Sequence, residues 1–262
     1  MKENIIKQKL RSGQTVFGSW LTLGNITAAR LLARSGFDWL TVDLEHAPID
    51  WSQAAALFAA VADCGCTPLC RVPEGSVVCV KRALDAGAFG IVAPMIESAE
   101  QARAVVAAAK YPPQGVRSVG GPLAALNFAA APADYYAAAN EQTLVVLQIE
   151  SPAGVESAEA ILSTSGCDAV FIGPNDLRFT LRKRLGHEPT EEEFEGQIET
   201  LVRASRRTGV ALGMHTSNAA AAMRRAAQGM QLLAVGSDLS LLNMGLTATM
   251  KELGSGTMDR GY

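Results

Sequence analysis

Apolar runs of four to seven residues recur along this chain, and a stretch with helical spacing follows each of them. The first run covers 16–22. After Gly24 and Asn25, the segment T-A-A-R-L-L-A-R-S-G has helical periodicity and stops at Gly36. A second run, 39–44, leads into D-L-E-H and a helix over 51–62 ended by Gly65. Runs at 68–72 and 89–93 precede helices at 77–86 and 99–109, the latter closed by Pro112 and Pro113. Between 115 and 140 the rhythm breaks: G-V-R-S-V-G-G-P leads into an irregular stretch and a short helix from about 132 to 140. An insertion of that size usually covers or shapes a site. Alternation resumes with runs at 144–149, 169–172, 210–214 and 232–235, and a last helix spans 239–253. Eight strand–helix pairs without a linker predict one domain over 1–262, a closed parallel (β/α)8 TIM barrel of the α/β class. Residues 254–262 read as a frayed tail. The alternative is a doubly wound open sheet, whose dinucleotide-binding version lacks support because no G-x-G-x-x-G follows the first strand.

In such barrels the chemistry sits at the C-terminal strand ends. Those ends hold Asp43, Glu45 and His46, then Arg71, then Gln148 and Glu150, then Gly173, Pro174, Asn175 and Asp176, and finally His215. The pair Glu150 and Asp176 organises the rest. Each closes a β-branched run, V-V-L-Q-I-E and D-A-V-F-I-G-P-N-D, and one crossover helix fits between them. A right-handed crossover brings both ends to the same sheet edge. Two carboxylates there can seat a hard divalent cation. Singly, each has a plainer role, Glu150 as a helix cap and Asp176 as a first-turn carboxylate.

A cation with open positions can chelate a 2-oxo acid and stabilise its enolate. Arg71 can hold the substrate oxygen with its planar fork of donors, and His46 can move a proton near neutrality. The plainer alternatives are that Arg71 pairs with a barrel carboxylate and that His46 closes a loop. Gln148 faces the same mouth, and the amides of residues 173–176, opening a helix, can take a substrate carboxylate.

Composition narrows the classes without changing this picture. Hydrophobic residues make up 48% of 262, enough for a large core, and the formal net charge is −3. With a pI near 5.7 and no basic run, nucleic acid is not an expected partner. The amino terminus lacks a signal peptide's apolar core and no apolar run reaches membrane-spanning length, so a cytoplasmic protein with no membrane partner is expected. Of the five cysteines, Cys64, Cys66 and Cys70 cluster but lack zinc-site partners, and they read as thiols in a reducing compartment. The run E-E-E-F-E at 191–195 reads as a solvated first helical turn.

The segments V-D-L-E-H, C-R-V-P, K-R-A-L-D-A-G-A-F-G-I-V-A-P-M, G-V-R-S-V-G, L-Q-I-E-S and I-G-P-N-D-L, in this order, resemble the metal-dependent (class II) pyruvate aldolases. That is the group to which 4-hydroxy-2-oxoheptanedioate aldolase belongs. The resemblance covers about residues 17–242. It implies a barrel of the phosphoenolpyruvate/pyruvate-domain type and a carbon–carbon lyase that cleaves 4-hydroxy-2-oxo acids reversibly to pyruvate and an aldehyde. It also implies Glu150 and Asp176 as ligands of Mg²⁺, Mn²⁺ or Co²⁺, His46 as acid/base and Arg71 as the pyruvyl-binding residue. Asp85, by the same resemblance, pairs with His46 across a subunit interface, in a homo-oligomer (a hexamer, or trimer of dimers) whose last helix packs on a neighbour.

The chain departs from the family pattern at Arg178, at R-S-V-G in the insertion, at Leu126, Asn127 and Phe128, and at His215. These departures leave the aldehyde open. Oxaloacetate decarboxylation through the same enolate is the alternative activity, and a non-catalytic oligomeric binding protein the remote one.

Overall fold

The Asn4 side chain accepts a hydrogen bond from the Lys7 amide and caps α1 (Ile5–Arg11), a helix that the hydrophobic pattern does not announce. Only its Ile6 and Leu10 join the core, where they close the bottom of the barrel. Two buried aliphatic side chains contribute about 2 kcal/mol each, enough to order seven residues only with tertiary hydrogen bonds added. The structure is a computed structural model that describes residues 1–120 and 123–254, so most of the expected tail at 254–262 lies outside the described residues.

Eight strands follow: β1 (Val16–Leu21), β2 (Trp39–Asp43), β3 (Thr67–Arg71), β4 (Gly90–Ala93), β5 (Leu144–Ile149), β6 (Ala169–Ile172), β7 (Ala211–Thr216) and β8 (Leu232–Ser237). They pair in parallel in chain order, and β8 returns to β1, which closes the barrel. Alternation sorts their side chains. Trp39, Leu69, Val92, Val146 and Phe171 fill the interior, while Leu40, Val42, Ile91, Leu147 and Ile172 meet the helices outside. The helices after the first four strands are α2 (Ile26–Ala33), α3 (Trp51–Asp63), α4 (Val77–Asp85) and α5 (Ala99–Ala109).

Strands β7 and β8 run two residues past their apolar stretches. His215 pairs with Ala234 and Thr216 with Val235, so the ladder carries polar side chains into the mouth where the hydrophobic signal has stopped.

Over its described residues, the insertion does not reach the mouth of its own barrel. It forms α6 (Leu123–Asn127) and α7 (Pro132–Gln142), packed around Phe89, Phe128 and Tyr135. Phe89 stacks on Phe128 at 3.8 Å just ahead of β4, and the Lys2 amide donates to the Phe128 carbonyl. The segment therefore lies at the N-terminal face. The physical reason is connectivity: a loop leaving a helix for a strand emerges at the end of the barrel opposite the mouth.

The second half of the barrel carries α8 (Pro152–Glu156), α9 (Ala158–Leu162), α10 (Pro174–Leu185), α11 (Glu191–Thr208), α12 (Ala219–Ala227) and α13 (Asp238–Glu252). In α13 only Asp238 is buried, and Leu239, Leu242, Met244 and Leu246 are exposed. Between the α2–β2 turn and α12 lies an apolar hollow of about 360 Å³ lined by Phe17, Phe37, Ala222, Met223 and Val235. Among the described residues no helix is long and apolar enough to cross a membrane.

Candidate active site at the barrel mouth

A pocket of about 220 Å³ opens at the C-terminal strand ends, and its walls include His46, Arg71, Gln148, Glu150 and Gly173 through Asp176. These residues, expected from the sequence to share one rim, do share it. Three arcs build the wall.

The first arc is acidic. Glu150 leaves β5 and is 2% exposed, with its Oε1 accepting from the Met95 amide at 2.8 Å and its Oε2 from Gln148 Nε2 at 2.6 Å. Burial pushes its carboxyl up to about 7 against those two donors, and Asp176 and Glu45 add to the rise. A Cβ at residue 173 would stand 2.2 Å from Glu150 Oε2, so glycine there is what lets β6 end against the carboxylate. Asp176 follows in the first turn of α10. The amides of this turn divide unevenly. Gly173 N–H donates to the Ile149 carbonyl, Pro174 has no N–H, and no side chain caps the helix. The anion-binding amides expected over residues 173–176 therefore reduce to those of Asn175 and Asp176.

The second arc is basic. Arg71 ends β3 and meets Asp43, which is 2% exposed, in a bidentate pair: Nε to Oδ1 at 2.9 Å and Nη2 to Oδ2 at 2.6 Å. Its Nη1 lies 3.2 Å from Glu45 Oε2 without hydrogen-bond alignment. Arg71 thus does pair with barrel carboxylates, yet its fork keeps N–H groups for a substrate oxygen. Asp43 Oδ1 also accepts from the Glu45 and His46 amides, at 3.0 and 3.3 Å. This loop presents His46 with its side chain 62% exposed and Nε2 3.7 Å from Glu45 Oε2. Burial raises the Glu45 carboxyl, while Arg71 and His46 oppose the rise.

The third arc, from β6, β7, β8 and β1, is one that the sequence marks only at His215. It adds Trp20, Thr22, Phe171 and Ser237. Trp20 stacks on Phe171 at 5.2 Å and meets the His215 ring edge-on at 5.3 Å. Burial, followed by the charge of Arg71, lowers the His215 pKa, so its imidazole is neutral near pH 7. In the sequence the two aromatic rings look like strand core. Their inward register near a strand end is the signal that could have found them.

Asp85 is not part of this mouth. It ends α4 at the opposite face, where Arg117 Nη2 donates to its Oδ1 at 2.8 Å.

The sequence profile of the HpcH/HpaI aldolase/citrate lyase family matches residues 16–244. The chain belongs to that family. A hydroxypyruvate/pyruvate aldolase of Chromohalobacter salexigens is 39% identical over 242 residues, 92% of this chain and 94% of the relative. A 4-hydroxy-2-oxo-heptane-1,7-dioate aldolase of Salmonella dublin is 36% identical over 97% of this chain and 95% of the relative. A crystal structure of an HpcH/HpaI aldolase/citrate lyase family protein from Burkholderia cenocepacia superposes with a TM-score of 0.87 at 36% identity. That superposition covers 96% of this chain and all of the other. This HpcH/HpaI family member is therefore an aldolase-type lyase acting on small molecules, which sets aside the non-catalytic alternative.

Proposed function

We propose that this chain is a divalent-metal-dependent aldolase that cleaves 4-hydroxy-2-oxo acids, reversibly, to pyruvate or a close 2-oxo acid and an aldehyde. The observation that carries this reading is the convergence of Glu150 and Asp176 with Arg71 and His46 in one pocket of about 220 Å³. The donor set fits a hard cation. It offers two carboxylates and the buried Gln148 Oε1, which has no hydrogen-bond partner among the described residues. Among the described residues no group of three or more His, Cys, Asp or Glu is placed to hold a metal ion by itself, whereas Mg²⁺, Mn²⁺ or Co²⁺ completes its shell with water and substrate oxygens.

When bound, the cation supplies Lewis-acid polarisation of the 2-oxo group, and Glu150 and Asp176 would hold it. The chain's own residues do the rest. The Arg71 N–H groups left free by Asp43 hold the oxygen that gains negative charge. The amides of Asn175 and Asp176 take the carboxylate. His46 takes the proton of the C4 hydroxyl as the C3–C4 bond breaks and the aldehyde leaves, and C3 is then protonated to give the 2-oxo acid. The names of the two relatives, a hydroxypyruvate/pyruvate aldolase and a 4-hydroxy-2-oxo-heptane-1,7-dioate aldolase, support a substrate class of short oxo acids.

The reading extends to assembly: a homo-oligomer in which α13 packs on a neighbour and Asp85 approaches the neighbour's His46. Its supports are the exposed apolar side chains of α13, the hollow between the α2–β2 turn and α12, and an exposed His46 whose ion-pair partner among the described residues is Glu45.

The test is product formation from a panel of 4-hydroxy-2-oxo acids and oxaloacetate, with and without a chelator. Activity is expected to vanish in chelator and return with Mg²⁺, Mn²⁺ or Co²⁺. The Asp176→Ala protein should stay folded and bind no metal. Full activity in chelator would sink the proposal, and cleavage of oxaloacetate alone would favour the decarboxylase.

A further inference from the structure

Met95 is one of two non-glycine residues among the described residues with a positive φ, at 56°, the other being Ala129 in the insertion. A side chain on that left-handed backbone is disfavoured, and it persists only where the surroundings over-determine the turn. The methionine side chain does not do so, being 44% exposed. The backbone does. Ile96 N–H donates to the Gln148 carbonyl at 2.9 Å, and Ser151 Oγ donates to Glu97 Oε1 at 2.6 Å. Gly154 lets α8 approach the turn, since a Cβ there would stand 2.7 Å from the Ile96 carbonyl. The exit of β4 is thus stitched to the exit of β5, and the amide just ahead of the stitches, that of Met95, donates to Glu150 Oε1 at 2.8 Å.

We propose that Met95 is a positioning residue: its left-handed backbone aims the amide at Glu150 and locks the carboxylate in the orientation that seats the cation. The inference rests on the proposed metal reading. With the Met95 amide on Oε1 and Gln148 Nε2 on Oε2, each oxygen is held by one donor and keeps further lone pairs for a cation. Outer-shell donors of this kind typically change metal affinity by about 10- to 100-fold. Glycine reaches this conformation without penalty, whereas a β-branched residue resists it most.

Two substitutions therefore separate backbone from side chain, read by Mn²⁺ titration of the full-length protein with electron paramagnetic resonance and by thermal melting. Met95→Gly should keep the wild-type Mn²⁺ affinity within about threefold. Met95→Val should weaken it about 10- to 100-fold while the protein stays folded, and its turnover should recover as Mn²⁺ is raised. Should Met95→Val fail to fold, Met95→Thr carries the same expectation. Equal Mn²⁺ affinity in wild type and Met95→Val overturns the proposal, as does an equal loss in Met95→Gly, which would assign the effect to the side chain. A wild-type protein that binds no Mn²⁺ overturns both this inference and the metal reading beneath it.

Discussion

Asp43 shows how one buried carboxylate sets the geometry of three neighbours. It takes two bonds from Arg71 and accepts the Glu45 and His46 amides, so the substrate-facing arginine and the loop carrying the imidazole share one anchor. Asp43→Asn keeps an acceptor for Arg71 Nε but withdraws the charge and the second acceptor for Nη2. Small misplacements of such groups cost on the order of 10²-fold in rate. Steady-state kinetics should show kcat/KM reduced by about that factor in a protein that still folds, because Glu45 remains beside the guanidinium. Unchanged kcat/KM would mean that Arg71 is aligned by something else.

At the scale of elements, α1 is fastened beneath the barrel by charge as much as by packing. Lys7 Nζ donates to the Thr143 carbonyl at 3.0 Å and pairs with Asp168 at 3.0 Å, while Lys110 Nζ donates to the same carbonyl at 3.2 Å. Two buried ammonium groups thus share one backbone carbonyl, and only Lys7 pairs with the carboxylate. Burial, and secondly Lys7, lower the Lys110 pKa from 10.5 to about 8. Between about 8 and 10.5 the folded protein has released this proton and the unfolded chain has not, so the unfolded state binds more protons. The contribution of Lys110 to stability therefore rises with pH across that window. The thiols of Cys66 and Cys167, raised by burial to about 12, act in the opposite sense. The useful measurement is accordingly a difference, melting of wild type against Lys110→Met from pH 7.5 to 10. The wild type should gain on the variant as pH rises, and a constant difference would remove Lys110 as the cause.

The whole molecule poses the question of Asp85. In one chain it sits at the face opposite the mouth, held by a buried Arg117 that stacks on Tyr111 at 4.5 Å. The proposed oligomer brings it to a neighbour's His46, which complementation can check. Asp85→Ala and Arg71→Ala proteins should each be nearly inactive. Mixed under conditions of subunit exchange, they should regain part of the activity, because some sites then hold both groups. Demonstrated exchange without any return would exclude action across an interface. The solution mass belongs to the same experiment, since a monomer would leave α13 with its apolar side chains in water.

Periodicity alone carried the barrel. A period of two broken by a period near 3.6, repeated eight times, leaves a parallel sheet with helices outside as its packing solution. The rim residues follow from it, since strand ends in a barrel must converge, and the strand-end positions of Glu150, Asp176, Arg71 and His46 put them in one mouth. Three-dimensional packing decided the rest. The helix α1 has too little apolar periodicity to be seen, because its stability comes from Asn4, Lys7 and the barrel floor. Trp20 and Phe171 read as core because hydrophobic patterning cannot tell a ring that floors a pocket from one that fills a layer. The loss of Gly173 as an amide donor depends on its bond to the Ile149 carbonyl, and the left-handed turn at Met95 on neighbours far along the chain. Sequence spacing reports which face a residue points to; which hydrogen-bond partner claims it is set by contacts between strands that only the closed barrel brings together.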